Sequence, residues 1–184
     1  DESMNPASLW KLPVVYIVEN NKYAMGTALE RASAVTDLYK KADGFAMPGV
    51  LLDGMDIART WATVDEAIAR ARAESTPTFI EARCYRFRGH SMSDPAKYRT
   101  QQEVEDFKQV DPIQLCRASL LLKGWATEGE LEAWDEAAQE AAADAASFAK
   151  DSPQPRLDDV GLYVYAEPGN WRPDEATFPH KRDE

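Results

Sequence analysis

Two polar segments of this 184-residue sequence carry side chains whose types and spacing could do chemistry. The first reads Glu-Asn-Asn-Lys-Tyr and follows a run of apolar residues that ends at Val18. Asparagine amides and backbone carbonyls are hard, neutral oxygen ligands, which suit Mg²⁺ bound together with the phosphates of a cofactor. Asparagine also favours an ordinary turn after a strand, because its side chain bonds to the nearby backbone. The residues alone leave both interpretations open.

The second segment, Arg86–Pro95, reads Arg-Phe-Arg-Gly-His-Ser-Met-Ser-Asp-Pro. Its two arginines offer forked donors for a phosphate, and its glycine permits close approach of the backbone. His90 can donate a hydrogen bond or exchange a proton near neutral pH. Ser91 lies in basic surroundings and is a candidate for phosphorylation. The alternative interpretation is a surface loop whose arginines pair with acids elsewhere in the chain.

The charges of the chain are segregated along its length. Its 21 Lys and Arg residues against 32 Asp and Glu give a net charge of −11, which argues against a general nucleic-acid binder. Residues 128–151 hold eight acids and one base, which indicates the solvated face of a helix. Residues 83–99 hold five bases and one acid. An anionic ligand is therefore expected at the basic stretch.

Two further patterns concern the cellular setting. No apolar run approaches the roughly 18–20 residues that span a bilayer, so we expect no membrane protein. Cys84 and Cys116 are the only thiols, and their spacing fits neither a zinc site nor a disulfide framework. The expected compartment is therefore a reducing one.

The elements that must position these segments alternate between strands and helices. Apolar, strand-forming runs predict strands at 13–18, 49–53 and 77–87, and the first reads as buried on both faces. Helical spacing predicts helices at 33–42 and 55–74. This alternation indicates an α/β fold with a parallel sheet, and both polar segments then lie at the carboxyl ends of strands, where such sheets bind ligands.

After residue 100 the strand patterns stop. Helices are predicted at 101–110, 112–123 and 127–150, the last with a capping box formed by Thr127 and Glu130. We therefore expect the α/β region to occupy residues 1–100, a helical extension 101–166 and an irregular or partner-wrapped tail 167–184. Residues 1–12 resemble the interior of a helix more than its start, and three strands are few for a parallel sheet. The chain is expected to be the C-terminal portion of something larger.

The same segments carry a resemblance to a known family. The residues that carry it are Leu9–Pro13, Glu19–Asn21, Tyr23–Thr27, Glu30–Ser33, Val50–Asp56, Tyr85–Pro95 and Tyr98–Thr100. In order and at matching spacing, over about residues 1–165, they closely resemble the alpha subunits of pyruvate dehydrogenase, the thiamine-diphosphate-dependent first component of the pyruvate dehydrogenase complex. The resemblance implies part of a thiamine-diphosphate-binding α/β fold followed by a helical region.

The resemblance also implies roles for individual residues. The thiamine motif of the family runs from Gly-Asp-Gly to Asn-Asn, and this chain holds only its second half. Asn21 and the backbone carbonyl of Tyr23 match Mg²⁺ ligands, whereas the aspartate ligand has no counterpart. His90 matches a histidine that contacts the diphosphate, and Arg86 matches an arginine that supports that loop. Ser91 lies where mitochondrial relatives are phosphorylated and inactivated.

The implied function is the oxidative decarboxylation of pyruvate with transfer of the acetyl group to lipoyl groups of dihydrolipoyl acetyltransferase. The implied partner is the beta subunit in an α₂β₂ assembly, with the active site between the two kinds of subunit and no catalytic acid or base assigned in this chain. The implied compartment is the bacterial cytoplasm or the mitochondrial matrix. This chain alone is expected to be inactive.

Two alternatives remain open at this stage. One is the alpha subunit of a branched-chain 2-oxo acid or acetoin dehydrogenase, although Met25–Thr27 and Ser91–Pro95 favour the pyruvate enzyme. The other is a truncated, non-catalytic fragment that acts as an assembly or interaction module, an idea prompted by the missing half of the thiamine motif.

Overall fold

A computed structural model describes residues 2–157 and contains a three-stranded parallel sheet. Its strands are β1 (Val15–Asn20), β4 (Gly49–Asp53) and β5 (Thr78–Arg83), in the order β1-β5-β4. Parallel pairing aligns Ile17 and Val50 with Ile80 on the central strand. The prediction of an α/β fold with a parallel sheet is confirmed.

The central strand is β5, and this corrects the prediction that the first strand is buried on both faces. Ile17 of β1 is 50% exposed, because β1 lies at an edge of the described sheet. Residues 78–82 of β5 are all buried, because strands flank β5 on both sides. The apolar run at residues 13–18 did not distinguish an edge strand from a central one.

Besides the sheet, the described residues form helices and one short hairpin. Strands β2 (Tyr23–Ala24) and β3 (Thr27–Ala28) form an antiparallel pair that the sequence patterns did not predict. The helices are α1 (Met4–Leu9), α2 (Leu29–Ala32), α3 (Ile57–Glu74), α4 (Gln101–Lys108), α5 (Pro112–Leu122) and α6 (Glu128–Asp151). Side chains of Asp56, Thr100 and Asp111 accept backbone N–H bonds and cap α3, α4 and α5.

The helix predicted at 33–42 is wrong. The chain instead forms a 3-10 helix over Leu38–Phe45. Ser33 donates its hydroxyl to the carbonyl of Val35 at 2.8 Å, a local bond that competes with a helix start. The Asp37 carboxylate accepts from Arg83 at 2.7 Å, and this tertiary contact helps to fix where the 3-10 helix begins.

The core lies on both faces of the sheet. Met4, Ala42 and Met47 cluster with Phe79 on the face covered by α1 and the 3-10 helix. The next residue of β5, Ile80, points to the opposite face and clusters with Leu52, Ala67 and Ala82 beneath α3. Because Glu81 lies two residues after Phe79, its side chain shares the first of these faces.

Helix α6 begins with the predicted capping box. The Thr127 N–H donates to the Glu130 carboxylate at 2.8 Å, and the Glu130 N–H donates back to the Thr127 hydroxyl at 3.4 Å. The acids of α6 are exposed, as predicted, and among its apolar residues only Leu131 is buried, whereas Trp134 is exposed.

Residues up to Leu131 form one compact unit, and a second begins at Glu132. The boundaries predicted near residues 100 and 166 stay predictions, and the predicted tail at 167–184 lies outside the described residues. None of the helices described over residues 2–157 is long and apolar enough to cross a membrane.

Candidate cofactor site

The two polar segments start side by side at the carboxyl end of the sheet. Asn20 ends β1 and pairs with Arg83, which ends β5. The N–H of Cys84 donates to the Asn20 carbonyl at 3.0 Å and extends the pairing by one step. Parallel strands therefore deliver both segments to the same edge, as the sequence predicted.

The first segment is a tight turn held by its own asparagines. The Asn20 amide oxygen accepts the N–H of Lys22 at 3.1 Å, and the Asn21 amide oxygen accepts the N–H of Tyr23 at 3.2 Å. Lys22, which the second of these bonds spans, has a positive φ of 70°. Both asparagines thus perform the turn role. An amide oxygen has two lone pairs, so Asn21 keeps acceptor capacity for a ligand.

Arg86 joins the two segments. One terminal nitrogen, Nη2, donates to the carbonyl of Met25 and to the hydroxyl of Tyr98, both at 2.8 Å. Its Nε donates to the Arg88 carbonyl at 3.1 Å, and Nη1 lies 3.5 Å from the Tyr23 carbonyl. The planar fork of arginine suits such multiple contacts. This geometry is that of a residue that supports the loop, and its predicted contact with a cofactor stays a prediction.

The backbone around His90 is held by Asp94. One carboxylate oxygen accepts the N–H of His90 at 2.7 Å and the hydroxyl of Tyr98 at 2.8 Å, and the other accepts the N–H of Ala96 at 2.8 Å. The N–H of His90 is the leading cause that holds the pKa of Asp94 below its usual range. A Cβ on Gly89 would lie 2.7 Å from the Asp94 carbonyl oxygen, so this tight loop requires glycine.

The side chains of this loop face solvent. His90 and Ser91 are both exposed, and the hydroxyls of Ser91 and Ser93 lie 3.1 Å apart. The turn with Asn21 and Tyr23 lines a small cavity of about 190 Å³, to which His90 does not contribute. The structure therefore links the predicted residues through Arg86 and Tyr98 without bringing His90 and Asn21 into one cavity.

An aromatic layer lies beside the junction. Tyr23 packs against Tyr98 with ring centroids 5.1 Å apart, and Tyr85 stacks on Phe107 at 4.0 Å. Glu103 of helix α4 accepts the hydroxyls of Tyr23 at 3.2 Å and Tyr85 at 3.0 Å. Burial, followed by the charge and hydrogen bond of Glu103, raises the pKa of both phenols. Helix α4 thus anchors the base of each segment.

The basic stretch is less available to an anion than its charge implied. Arg83 pairs with the carboxylates of Asp37 at 2.7 Å and Glu81 at 3.0 Å. Arg99 donates to the carbonyls of Arg86 and Phe87. Most arginines of this stretch therefore build the site, whereas Arg88 and His90 remain exposed.

Sequence reasoning missed two acids of the site. Glu81 bonds to Asn20 at 2.7 Å, and its signal was a lone carboxylate within an apolar strand run. Glu103 follows the predicted N-terminus of α4, where acids are common, so nothing in the sequence distinguished it. Within residues 2–157, no three His, Cys, Asp or Glu side chains cluster as metal ligands. A metal at this edge would therefore rely on neutral oxygens and on groups from elsewhere.

Comparisons with known proteins give the family of the chain. Residues 1–158 match the family described as dehydrogenase E1 component. The chain is 49% identical over 160 residues to the pyruvate dehydrogenase E1 component subunit alpha of Rhizobium meliloti, an alignment that covers 86% of this chain and 46% of that protein. The corresponding subunit of Rickettsia felis is 43% identical over 164 residues, covering 89% of this chain and 50% of that protein.

A mitochondrial relative is also similar. The mitochondrial pyruvate dehydrogenase E1 component subunit alpha of Sminthopsis macroura is 40% identical over 167 residues, which cover 90% of this chain and 46% of that protein. The chain thus spans about half the length of the curated relatives that it matches. With the family matched over residues 1–158, this chain belongs to the dehydrogenase E1 component family.

Proposed function

We propose that this chain is the cofactor-binding part of a pyruvate dehydrogenase E1 alpha subunit. The proposed reaction is the oxidative decarboxylation of pyruvate with transfer of the acetyl group to lipoyl groups of dihydrolipoyl acetyltransferase. The observation that supports it most is the junction at which Arg86 ties the Asn21 turn to the His90 loop, at the carboxyl ends of neighbouring parallel strands. Similarity to alpha subunits of bacteria and a mitochondrion supports it independently.

The proposed cofactors are thiamine diphosphate and Mg²⁺, and the donor set of the turn fits this pair. Asn21 is only partly buried and retains a lone pair, and the Tyr23 carbonyl accepts a long 3.5 Å contact from Arg86. These two neutral oxygens would hold the metal, because Mg²⁺ prefers a few protein oxygens together with cofactor phosphates. When bound, thiamine diphosphate supplies the carbanion chemistry of the decarboxylation.

The residues of this chain bind and orient in this proposal. His90 would donate a hydrogen bond to the diphosphate from a loop whose backbone Asp94 fixes. Arg86 would keep that loop against the metal-binding turn through its bonds to Met25 and Tyr98. None of His90, Asp94 and Arg86 is proposed as a catalytic acid or base.

The proposed partners follow from the same similarity. They are a pyruvate dehydrogenase beta subunit in an α₂β₂ assembly, whose active site the two kinds of subunit share, and dihydrolipoyl acetyltransferase. The proposed compartment is the bacterial cytoplasm or the mitochondrial matrix.

Ser91 is the proposed point of control by phosphorylation. Its hydroxyl is exposed and lies next to His90, so a kinase could reach it. A phosphate there adds about −1.5 to −2 charges beside the proposed diphosphate site. Ser91→Asp should therefore lower the turnover of the assembled enzyme. Ser91→Asn, whose side chain matches aspartate in size but is uncharged, should lower it less. Equal turnover in wild type and Ser91→Asp would remove this proposal.

The substrate is tested by comparing turnover of pyruvate, a branched-chain 2-oxo acid and acetoin. The protein for this test is the complete polypeptide encoded by the gene, assembled with its beta subunit. We expect pyruvate to have the highest kcat/KM. If pyruvate were the poorest of the three, the chain would belong to a dehydrogenase for another substrate.

A further inference from the structure

A carboxylate lies at the centre of the sheet where an apolar side chain would be expected. Glu81 occupies the middle of β5 with none of its surface exposed. It pairs in register with Val18 on one side and Leu51 on the other. Burying an ionised carboxylate is unfavourable unless it is paired and hydrogen-bonded. Its presence therefore calls for an explanation beyond packing.

Three donors compensate the Glu81 carboxylate. Oε1 accepts from the Asn20 amide at 2.7 Å and from Arg83 Nε at 3.0 Å, and Oε2 accepts the N–H of Tyr39 at 2.9 Å. Burial alone would raise the pKa of Glu81, but these hydrogen bonds outweigh it and hold the pKa below its usual range. The group is thus an anion with both oxygens occupied.

The bond from Asn20 has a directional consequence. Because Glu81 takes the NH₂ group of the amide, the Asn20 oxygen is turned toward the N–H of Lys22, which it accepts at 3.1 Å. That bond closes a turn across Asn21 and therefore restrains the backbone of Asn21. Asn21 carries one of the two oxygens proposed for the metal, and its amide oxygen also accepts the N–H of Tyr23, which carries the other. The restraint on Asn21 therefore helps to place both oxygens.

We propose that Glu81 is a positioning residue for the metal-binding turn and that it acts through Asn20 without touching metal or cofactor. The inference rests on the proposed function, since it concerns the same turn. It goes further by assigning a remote, buried carboxylate to the geometry of that turn. Groups that orient metal ligands typically contribute about 10–100-fold to metal affinity.

The competing explanation is that Glu81 serves only as a structural ion pair. The two explanations separate at Asp37, which pairs with the same arginine at 2.7 Å but is bonded to neither asparagine in the described contacts. Asp37→Asn therefore weakens the ion pair between Arg83 and residue 37 and leaves the bond between Glu81 and Asn20 in place. It is the matched control for Glu81→Gln.

The experiment measures Mn²⁺ binding by electron paramagnetic resonance, with thiamine diphosphate at saturation, in the complete polypeptide assembled with its beta subunit. Thermal unfolding without metal or cofactor is recorded in parallel. We expect Glu81→Gln to weaken Mn²⁺ binding by about tenfold or more, and Asp37→Asn to change it by less than about twofold. Asn20→Ala should weaken binding similarly, and the double variant should bind no more weakly than Asn20→Ala.

The outcomes distinguish a positioning role of Glu81 from a purely structural one. If Glu81→Gln lowers the unfolding temperature but leaves Mn²⁺ affinity unchanged, the residue is only structural and the inference is wrong. If Glu81→Gln does not fold, Asn20→Ala carries the test, and unchanged Mn²⁺ affinity in that variant overturns the inference. Failure of the wild-type protein to bind Mn²⁺ with thiamine diphosphate contradicts the proposed function itself.

Discussion

At the scale of single residues, Asp94 does most to shape the His90 loop. Its carboxylate accepts two backbone N–H groups and one phenol, so one side chain fixes residues 90–98. The loop needs this support, because its side chains are largely exposed and cannot be held by packing. The same hydrogen bonds favour the ionised form of Asp94 and lower its pKa.

This lowered pKa predicts a specific pH dependence. The stabilisation by Asp94 is present above the pKa of an unfolded aspartate, about 3.9, and is lost as pH falls through the lower folded value. Asp94→Asn should therefore be less stable than wild type near pH 6, and the difference should shrink near pH 3. Urea unfolding of the 184-residue chain at both pH values measures this. Asp43→Asn, at an exposed position, is the control, and a difference that stays constant with pH would contradict the assignment.

Arg86 allows a second test at this scale. Lysine keeps the charge but cannot reproduce the forked contacts with Met25, Tyr98 and Arg88. Arg86→Lys should lower the free energy of unfolding by about 1–2 kcal/mol, measured by urea unfolding. Arg88→Lys, in the same loop but exposed, should stay within about 0.5 kcal/mol of wild type. Equal effects of the two substitutions would mean that Arg86 does not join the segments.

Sequence reasoning at this scale found the residues of the loop but not their supports. His90 and Arg86 stand out because their types and spacing suit a phosphate. Glu103 does not stand out, because its bonds to Tyr23 and Tyr85 cross 80 and 18 residues of chain. Such partners depend on tertiary packing, which periodicity and composition do not encode.

At the scale of elements, the sheet decides which residues meet. Strand β4 was predicted with its observed bounds, Gly49–Asp53, and α3 begins two residues after the predicted start. The strand order and the edge position of β1 were not predicted, because an apolar run indicates a strand without indicating its neighbours. The 3-10 helix over Leu38–Phe45 was missed because contacts of Asp37 and Tyr39 with β5 influence where it lies.

The difference between central and edge strands is testable with a matched pair. Ile80 of β5 is fully buried, and its register partner Ile17 on β1 is half exposed. Ile80→Ala should lower the free energy of unfolding of the 184-residue chain by about 2–5 kcal/mol, the usual range for a buried aliphatic residue. Ile17→Ala should lower it by about half of that or less. Equal losses would place β1 in a more buried environment than the structure indicates.

At the scale of the whole molecule, the net charge of −11 is the sum of an acidic region and a basic region with different roles. The exposed acids of α6 account for much of the excess, whereas the basic residues between Arg83 and Arg99 are mostly bonded within the site. A charge count thus located the right region but overstated its free positive charge. Of the five bases in this stretch, Arg88 and Lys97 have exposed side chains, and His90 is exposed as well.

The His90 loop is proposed as part of a thiamine-diphosphate site, so the cofactor affinity of the assembled enzyme should depend on it. The affinity of wild type, His90→Ala and Arg88→Ala is measured by calorimetric titration with thiamine diphosphate in the presence of Mg²⁺. Loss of one hydrogen bond to a charged group, about 1.5–3 kcal/mol, predicts at least about tenfold weaker binding for His90→Ala. Arg88→Ala should weaken binding less. Unchanged cofactor affinity in His90→Ala would show that His90 does not bind the cofactor.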